Sequence, residues 1–342
     1  MTGSVLSRRT MLRTALALGG SGLFCVGLNR AGGGVINDRL TGDLSPVHDP
    51  CAVKDGDTYY VFSTGPSGAD SGLIPWRSSK NLLQWSRGGA VFPALPGWAA
   101  DAVPGAKGIW APDISYFNGR FHLYYAVSTF GSNHSVIGLA TNAALNPAAP
   151  NYAWQDQGLV LSSDSFDKYN AIDPSHVVDR DGKHWLCFGS FWTGIKMIRL
   201  DPTTGKPSAD DATVHALAYR PQPPDAIEAP FIIERGGFYY LFVSFDFCCR
   251  GANSNYNIVA GRSTDITGPF LGPDGNDMMH GYGQQLLVGN ERFKGPGGAS
   301  VLRDPSRDYL VYHAYDAQNG GIPTLRISPI GWTPDGWPSV IL

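Results

Sequence analysis

One pattern, repeated five times along the chain, constrains the fold more than any other feature of the sequence. A turn containing Gly or Asp leads into a run dense in aromatic and β-branched residues. It reads Asp55-Gly-Asp-Thr-Tyr-Tyr-Val-Phe-Ser-Thr64, Asn118-Gly-Arg-Phe-His-Leu-Tyr-Tyr-Ala-Val127, Asp181-Gly-Lys-His-Trp-Leu-Cys-Phe-Gly-Ser190 and Arg235-Gly-Gly-Phe-Tyr-Tyr-Leu-Phe-Val-Ser244, with a weaker copy at Ser306-Arg-Asp-Tyr-Leu-Val-Tyr-His-Ala-Tyr315. Each copy is a hairpin turn entering a β-strand. Measured at Gly56, Gly119, Gly182, Gly236 and Asp308, the steps are 63, 63, 54 and 72 residues. Units of that length hold four short strands, with Ser135–Ala140 and Lys196–Leu200 among the intervening ones. The expected fold is therefore all-β, a five-bladed β-propeller over residues 36–342. A β-sandwich or a two-domain chain would not explain so long and regular a period. Composition agrees: 43% apolar and 12% aromatic residues exclude a disordered chain, and Gly and Pro at 68 of 342 residues exclude a helical one.

Residues 1–33 read differently. Ser7-Arg8-Arg9-Thr10-Met11-Leu12-Arg13 followed by apolar Thr14–Leu28 has the form of a twin-arginine export signal, with a short N-terminal anchor as the alternative. The apolar stretch is too short to span a bilayer comfortably, so the mature form is expected to be exported, free of the membrane and monomeric. Bulky Phe24 argues against lipidation at Cys25. Without residues 1–30 the net charge moves from −3 to −7, with no Lys/Arg stripe to hold a phosphate backbone, so nucleic acid is excluded as a partner. Cys51, Cys187, Cys248 and Cys249 lack metal-finger spacing. Adjacent Cys248 and Cys249 are either a vicinal disulfide or two buried thiols.

A proline-bearing segment precedes each hairpin: His48-Asp49-Pro50, Trp110-Ala111-Pro112-Asp113, Ile172-Asp173-Pro174, Glu228-Ala229-Pro230 and Gly295-Pro296-Gly297. Asp49 lies 7 residues before its hairpin glycine, Asp113 6, Asp173 9 and Glu228 8, which reads as one phase of the repeat. The first strand of each propeller blade lines the central channel, so Asp49, Asp173 and Glu228 should meet at one end of the axis. Enclosed acids repel and lose solvent, which drives one toward the protonated form while another stays ionised. Glycosidic cleavage needs such a pair. An isolated Asp-Pro, by contrast, is an ordinary turn former.

These segments, together with Gly108-Ile-Trp-Ala-Pro-Asp113, Ser128-Thr-Phe-Gly-Ser132, Phe188-Gly-Ser-Phe-Trp-Thr-Gly-Ile195, Phe247-Cys-Cys-Arg-Gly251, Gly261-Arg-Ser263 and Tyr312-His-Ala-Tyr-Asp316, resemble glycoside hydrolase family 43, and more narrowly its endo-acting α-1,5-L-arabinanases. The resemblance implies an inverting hydrolase of arabinan with Asp49 as general base, Glu228 as general acid and Asp173 as the carboxylate that orients and tunes the acid. It implies sugar contacts at Trp110, Phe130, Gly131, Asn170, Ala171, Ile172, Ser190, Phe191 and Trp192. It also implies a calcium ion on the axis, held by His313 and waters. Gly295-Pro296-Gly297-Gly298 departs from the pattern, since many similar sequences place His after Pro-Gly. An exo-acting arabinosidase or β-xylosidase is the alternative on the same scaffold, decided by loops such as Asp70–Pro75 and Pro93–Gly108. A non-catalytic carbohydrate-binding propeller would be expected to lack one of the three acids.

Overall fold

The computed structural model describes residues 36–65 and 72–342; the expected export signal and part of the Asp70–Pro75 insertion lie outside them. Each copy of the repeated pattern forms the inner hairpin of a blade. Across the five turns Asp55 faces Thr58, Phe117 faces Arg120, Val178 faces His184, Arg235 faces Phe238 and Asp304 faces Arg307. At the first and second turns Gly56 and Gly119 have φ of 59° and 70°, a region that costs glycine no Cβ clash. The inner strands are His48–Asp55, Trp110–Phe117, Ser175–Val178, Ile227–Arg235 and Phe293–Asp304, and each continues outward as an antiparallel meander. The molecule is a five-bladed β-propeller.

The blades pack face to face, and five apolar clusters fill the five gaps between them. Phe62, Trp76 and Tyr125 join blades 1 and 2, and Tyr124, Leu139 and Phe188 join 2 and 3. Trp185, Tyr239 and Phe245 join 3 and 4, Tyr240, Phe242 and Tyr312 join 4 and 5, and Val61, Trp85, Val311 and Leu325 close 5 onto 1. Each sheet is covered on both faces, so its strands read as continuous apolar runs rather than as alternation.

Four strands per blade holds for blades 2, 3 and 4. Blade 1 gains Thr41–Gly42, parallel to Gln84–Phe92, and blade 5 has three strands, Phe293–Asp304, Arg307–Asp316 and Ile322–Pro329. The outer edge of blade 5 is covered by Leu44–Val47: Val47 N–H donates to Pro323 O at 2.9 Å and Leu325 N–H to Leu44 O at 2.8 Å. The beginning of the propeller thus completes its end. Within the Pro93–Gly108 insertion, Gly97–Ala102 is a helix. Its Trp98 Nε1 donates to Asp156 Oδ2 at 2.8 Å, on the outer strand of blade 2, and Ala99 is buried. Cys248 and Cys249 are free thiols, as one of the two expected states has it, but the first is half-buried and the second exposed rather than both buried.

Candidate active site

At the upper end of the inner strands the pleat breaks. Pairing shifts between His48 and Cys51, Trp110 and Asp113, Glu228 and Phe231, and Gly297 and Ser300. Inside each break, and at the matching place in blade 3, one residue turns left-handed: Asp49 (φ 47°), Ala111 (41°), Asp173 (56°), Ala229 (54°) and Gly298 (56°). Four of the five are not glycine, and such strain, on the order of 1–3 kcal/mol each, persists where function requires it. All five line one cavity on the axis, with Asp113 and Cys51 deeper in it.

This geometry corrects the phase assigned from sequence. Asp49 and Asp173 occupy equivalent positions, but Glu228 stands one residue earlier, in the place of His48 and Trp110, while Asp113 is in phase with Cys51. Counting from the hairpin glycine misleads because that glycine does not keep one place in its turn: Gly56 directly follows paired Asp55, Gly119 directly precedes paired Arg120, and the third turn is longer, with Val178 paired to His184. Aligning Pro50, Pro112, Pro174 and Pro230 instead would have given the register.

The three acids meet in distinct environments. Asp49 Oδ2 accepts from Thr64 Oγ1 at 2.8 Å and lies 2.7 Å from His48 Nδ1. Burial alone would raise its pKa, but the charge and hydrogen bond of His48, the charge of His313 and the Thr64 hydroxyl outweigh it and hold Asp49 at about 2. Asp49 is therefore ionised, and His48, despite burial, is pushed well above the usual imidazole range by that carboxylate. Glu228 accepts from Tyr256 OH at 2.6 Å and Ser190 Oγ at 2.7 Å. Burial lifts its pKa more than these two donors lower it. Asp173 accepts Ala229 N–H at 2.9 Å and is pushed well up by burial and then by the Glu228 charge. Asp173 and Glu228 act as one unit that keeps a proton to higher pH than a lone carboxylate does. Asp113, raised by burial to about 6, is held by Cys51 Sγ at 3.3 Å and His176 N–H at 2.8 Å.

The second strand of each hairpin and the turn after it supply a further ring of side chains, of which the sequence reading named Ser190 and His313 and missed Thr64 and Ser244. Thr64 Oγ1 accepts the N–H of Ala111 at 2.7 Å, Ser244 Oγ that of Gly298 at 3.1 Å, and His313 Nδ1 that of Asp49 at 3.1 Å. Each ties the left-handed residue of the following blade in place. Thr64, Ser244 and His313 share one phase, each two residues past the strand partner of Cys51, Phe231 or Ser300, with Ser190 one residue further along in blade 3; Tyr315 adds a bond to His48 Nε2 at 2.7 Å. At Gly298 a Cβ would lie 2.5 Å from Asp49 Oδ1 and 3.0 Å from His313 Cε1. The departure from the family pattern leaves the free oxygen of Asp49 unobstructed.

His313 is fully buried and stacks on His48 with ring centroids 3.8 Å apart. Burial holds its pKa well below the usual value, and Nε2 has no hydrogen-bond partner among the described residues. Ligand atoms of His48, Asp49 and His313 lie within 4.8 Å of one another.

The expected sugar contacts divide into two groups. Trp110 is half-buried against Phe130, ring centroids 5.0 Å apart, and Phe130 is 79% exposed beside exposed Gly131. Phe191 and Trp192, with φ of 51° and 43°, present half-buried and exposed rings directly after Ser190, the blade-3 residue that donates to Glu228. Asn170, Ala171, Ile172 and Ser190 are buried. Asn170 Oδ1 accepts Ser135 Oγ at 2.7 Å, and Ala171 N–H donates to Ser163 Oγ at 2.9 Å, so these residues hold the approach to Asp173 in shape.

Comparison with known proteins agrees with this geometry. The model of the family described as glycosyl hydrolases family 43 matches residues 45–338. An extracellular endo-α-(1→5)-L-arabinanase of Bacillus subtilis is 44% identical over 294 residues, 86% of this chain and 87% of its own. An extracellular exo-α-(1→5)-L-arabinofuranosidase of Cellvibrio japonicus is 42% identical over 305 residues, 86% of each chain. The solved endo-arabinanase of Bacillus licheniformis superposes with a TM-score of 0.80 at 45% identity, covering 88% of this chain and 99% of its own.

Proposed function

The chain belongs to the glycosyl hydrolases of family 43, and on that premise we propose that it cuts internal α-1,5 bonds of arabinan by single displacement. The observation that carries this reading is the division of labour at the axis. Asp49 is held ionised on blade 1, while Glu228 on blade 4 is raised and shares a proton with Asp173. An ionised carboxylate takes a proton from water, and a protonated one supplies the departing sugar oxygen. Asp49 reaches water through Oδ1, since Oδ2 is engaged by Thr64 and His48. Tyr256 and Ser190 orient the acid, and Asp173 sustains its proton. Trp110 with Phe130 on one side and Phe191 with Trp192 on the other offer apolar faces to the C–H surfaces of successive sugars.

Endo action is favoured over exo action because the helical Pro93–Gly108 insertion packs on blade 2. The test is a time course on linear arabinan: oligosaccharides of several lengths should appear before free arabinose, whereas arabinose released alone from the start would favour the exo-acting relative's mode. Single displacement makes the β-anomer the first product, read by proton NMR before mutarotation. An initial α-anomer would overturn the role given to Asp49.

A hydrated calcium ion on the axis fits the donor set in one respect. With Nδ1 of His313 accepting Asp49 N–H, the ring proton sits on orphaned Nε2, whose natural partner is an oxygen, so His313 would hold a hydrated ion by donating to one of its waters. When bound, its positive charge would help keep Asp49 ionised. Chelation should lower activity reversibly with the fold intact, and active protein free of bound cation on metal analysis would end this reading. The relatives described as extracellular and the Arg8-Arg9 pair support export by the twin-arginine route, and we take the exported enzyme to act as a monomer. Among the described residues no helix is long and apolar enough to cross a membrane.

A further inference from the structure

Three metal-ligating side chains converge beside the general base: Cys248 and Cys249, which have no part in the hydrolysis derived above, and His48, whose Nδ1 supports Asp49 while its Nε2 faces away from it. The sulfurs of Cys248 and Cys249 and a ring nitrogen of His48 all lie within 4.8 Å of one another, and Cys249 Sγ stands 3.7 Å from His48 Nε2. Two donors on one tetrahedral ion, with sulfur at about 2.3 Å and nitrogen at about 2.0 Å, are separated by about 3.5 Å, close to what is seen. Both cysteines are free, and Cys249 is exposed, so an ion reaches them from solvent.

The other nitrogen of His48 completes the argument. Nδ1 lies 2.7 Å from Asp49 Oδ2, the carboxylate–imidazole arrangement that orients a metal-bound histidine and raises its basicity. Two sulfurs and an imidazole select soft or borderline cations and discriminate against calcium and magnesium. We propose that Cys248, Cys249 and His48 form a site for one thiophilic d¹⁰ cation of the zinc and cadmium class at the rim of the catalytic funnel, and that its occupation shuts hydrolysis off. Binding displaces the protons of the two thiols and of Nε2 to solvent and takes the place of Tyr315 OH at Nε2. Asp49 then becomes the outer carboxylate of a metal–histidine–carboxylate chain and a weaker base toward water. This second half rests on the reading of Asp49 as general base; the site itself does not.

The test is a titration of the full chain with cadmium chloride, reduced beforehand, freed of reductant and kept under inert gas in excess calcium. Sulfur-to-cadmium charge-transfer absorption and hydrolysis of linear arabinan are read in the same samples. The band should saturate at one equivalent while activity falls at least tenfold in step, and a competing dithiol should reverse both. Cys248→Ser and Cys249→Ser should each weaken cadmium binding at least tenfold and keep, in cadmium, most of their own cadmium-free rate. No band, or a band that survives both substitutions, overturns the site; a saturated band with undiminished hydrolysis overturns the shut-off. Failure of the cadmium-free protein in excess calcium to hydrolyse arabinan would instead refute the proposed function on which the shut-off rests, with the band still deciding the site.

Discussion

At the scale of single residues, the active site works by giving chemically similar carboxylates different neighbours, and removing those neighbours or the carboxylates has calculable consequences. Asp49→Asn and Glu228→Gln should each lower kcat about 10²–10⁴-fold with the fold intact, because base and acid both act in the transition state. Glu228→Gln should be least impaired on aryl arabinosides, whose leaving groups need little protonation; equal loss across leaving groups would point to another acid. The alkaline limb of the kcat/KM profile should follow the Asp173–Glu228 unit, since activity requires its proton and is lost as pH rises through the raised pKa. Tyr256 OH donates to Glu228 Oε1 at 2.6 Å, and a donor stabilises the ionised form. Tyr256→Phe should therefore move that limb to higher pH. A limb that stayed put or moved down would remove Tyr256 from the tuning of the acid. Gly298→Ala tests the space around the base: a Cβ 2.5 Å from Asp49 Oδ1, at a φ of 56°, should cost at least about tenfold in kcat by displacing that oxygen, and wild-type turnover would contradict it.

At the scale of the elements, the hairpins were legible and their junctions were not. The turn-plus-aromatic pattern gave all five inner hairpins, because a turn glycine and a β-branched run are local demands of the backbone. The three acids could be picked out from the sequence, but the one-residue offset of Glu228 from Asp49 and Asp173 could not, because the pleat breaks at Asp49, Ala111 and Ala229 and a broken pleat does not propagate its count. Tyr256 reaches the site from just before the strand Asn257–Ser263, and nothing in its own neighbourhood announces it, whereas Tyr315 lies in the Tyr312–Asp316 segment without its partner His48 being legible. A buried polar cluster between blades 2 and 3 was equally hidden: His176 Nε2 lies 2.9 Å from His184 Nδ1, with Phe117 stacked on His122. Burial lowers His176 to about 3 and His122 to about 4. Their unfolded pKa lies near 6.5, so the folded state is favoured above that value and loses ground as pH falls toward 4, by about 1.4 kcal/mol per unit for each fully neutral histidine. Denaturant unfolding compared at pH 7 and pH 5 should show this loss, and His176→Gln should flatten it. An identical slope in the variant would place the acid sensitivity elsewhere.

At the scale of the whole molecule, a propeller stands or falls by how its ring is closed, and here closure depends on a short segment that contributes no blade of its own. Residues 43–47 run between the first and last blades, and Arg77 on the third strand of blade 1 holds them there. Its guanidinium is fully buried and donates from Nη2 to Pro46 O at 2.8 Å and from Nε to Asp43 O at 3.0 Å, with Asp43 Oδ1 3.3 Å away. Asn37 adds a bond to Ser328 Oγ at 2.9 Å and accepts Ile327 N–H at 2.8 Å, fixing the chain's first described residues to blade 5. Removing one partner of a buried, hydrogen-bonded charge leaves the other groups desolvated and unpaired, which typically costs about 3–5 kcal/mol. Arg77→Ala should therefore lower the unfolding free energy by that order, and Arg77→Lys should rescue little of it, because an ammonium cannot serve both carbonyls in the plane that the guanidinium occupies. Lys80→Ala, which removes an exposed ion pair to Asp57 just past the end of the same strand, is the control and should leave the transition where it is. Because the clasp joins the first blade to the last, the Arg77 variant should also admit protease at residues 40–47 before the blades themselves are cut. Cleavage beginning instead within the inner hairpins would mean that the ring opens somewhere other than its seam.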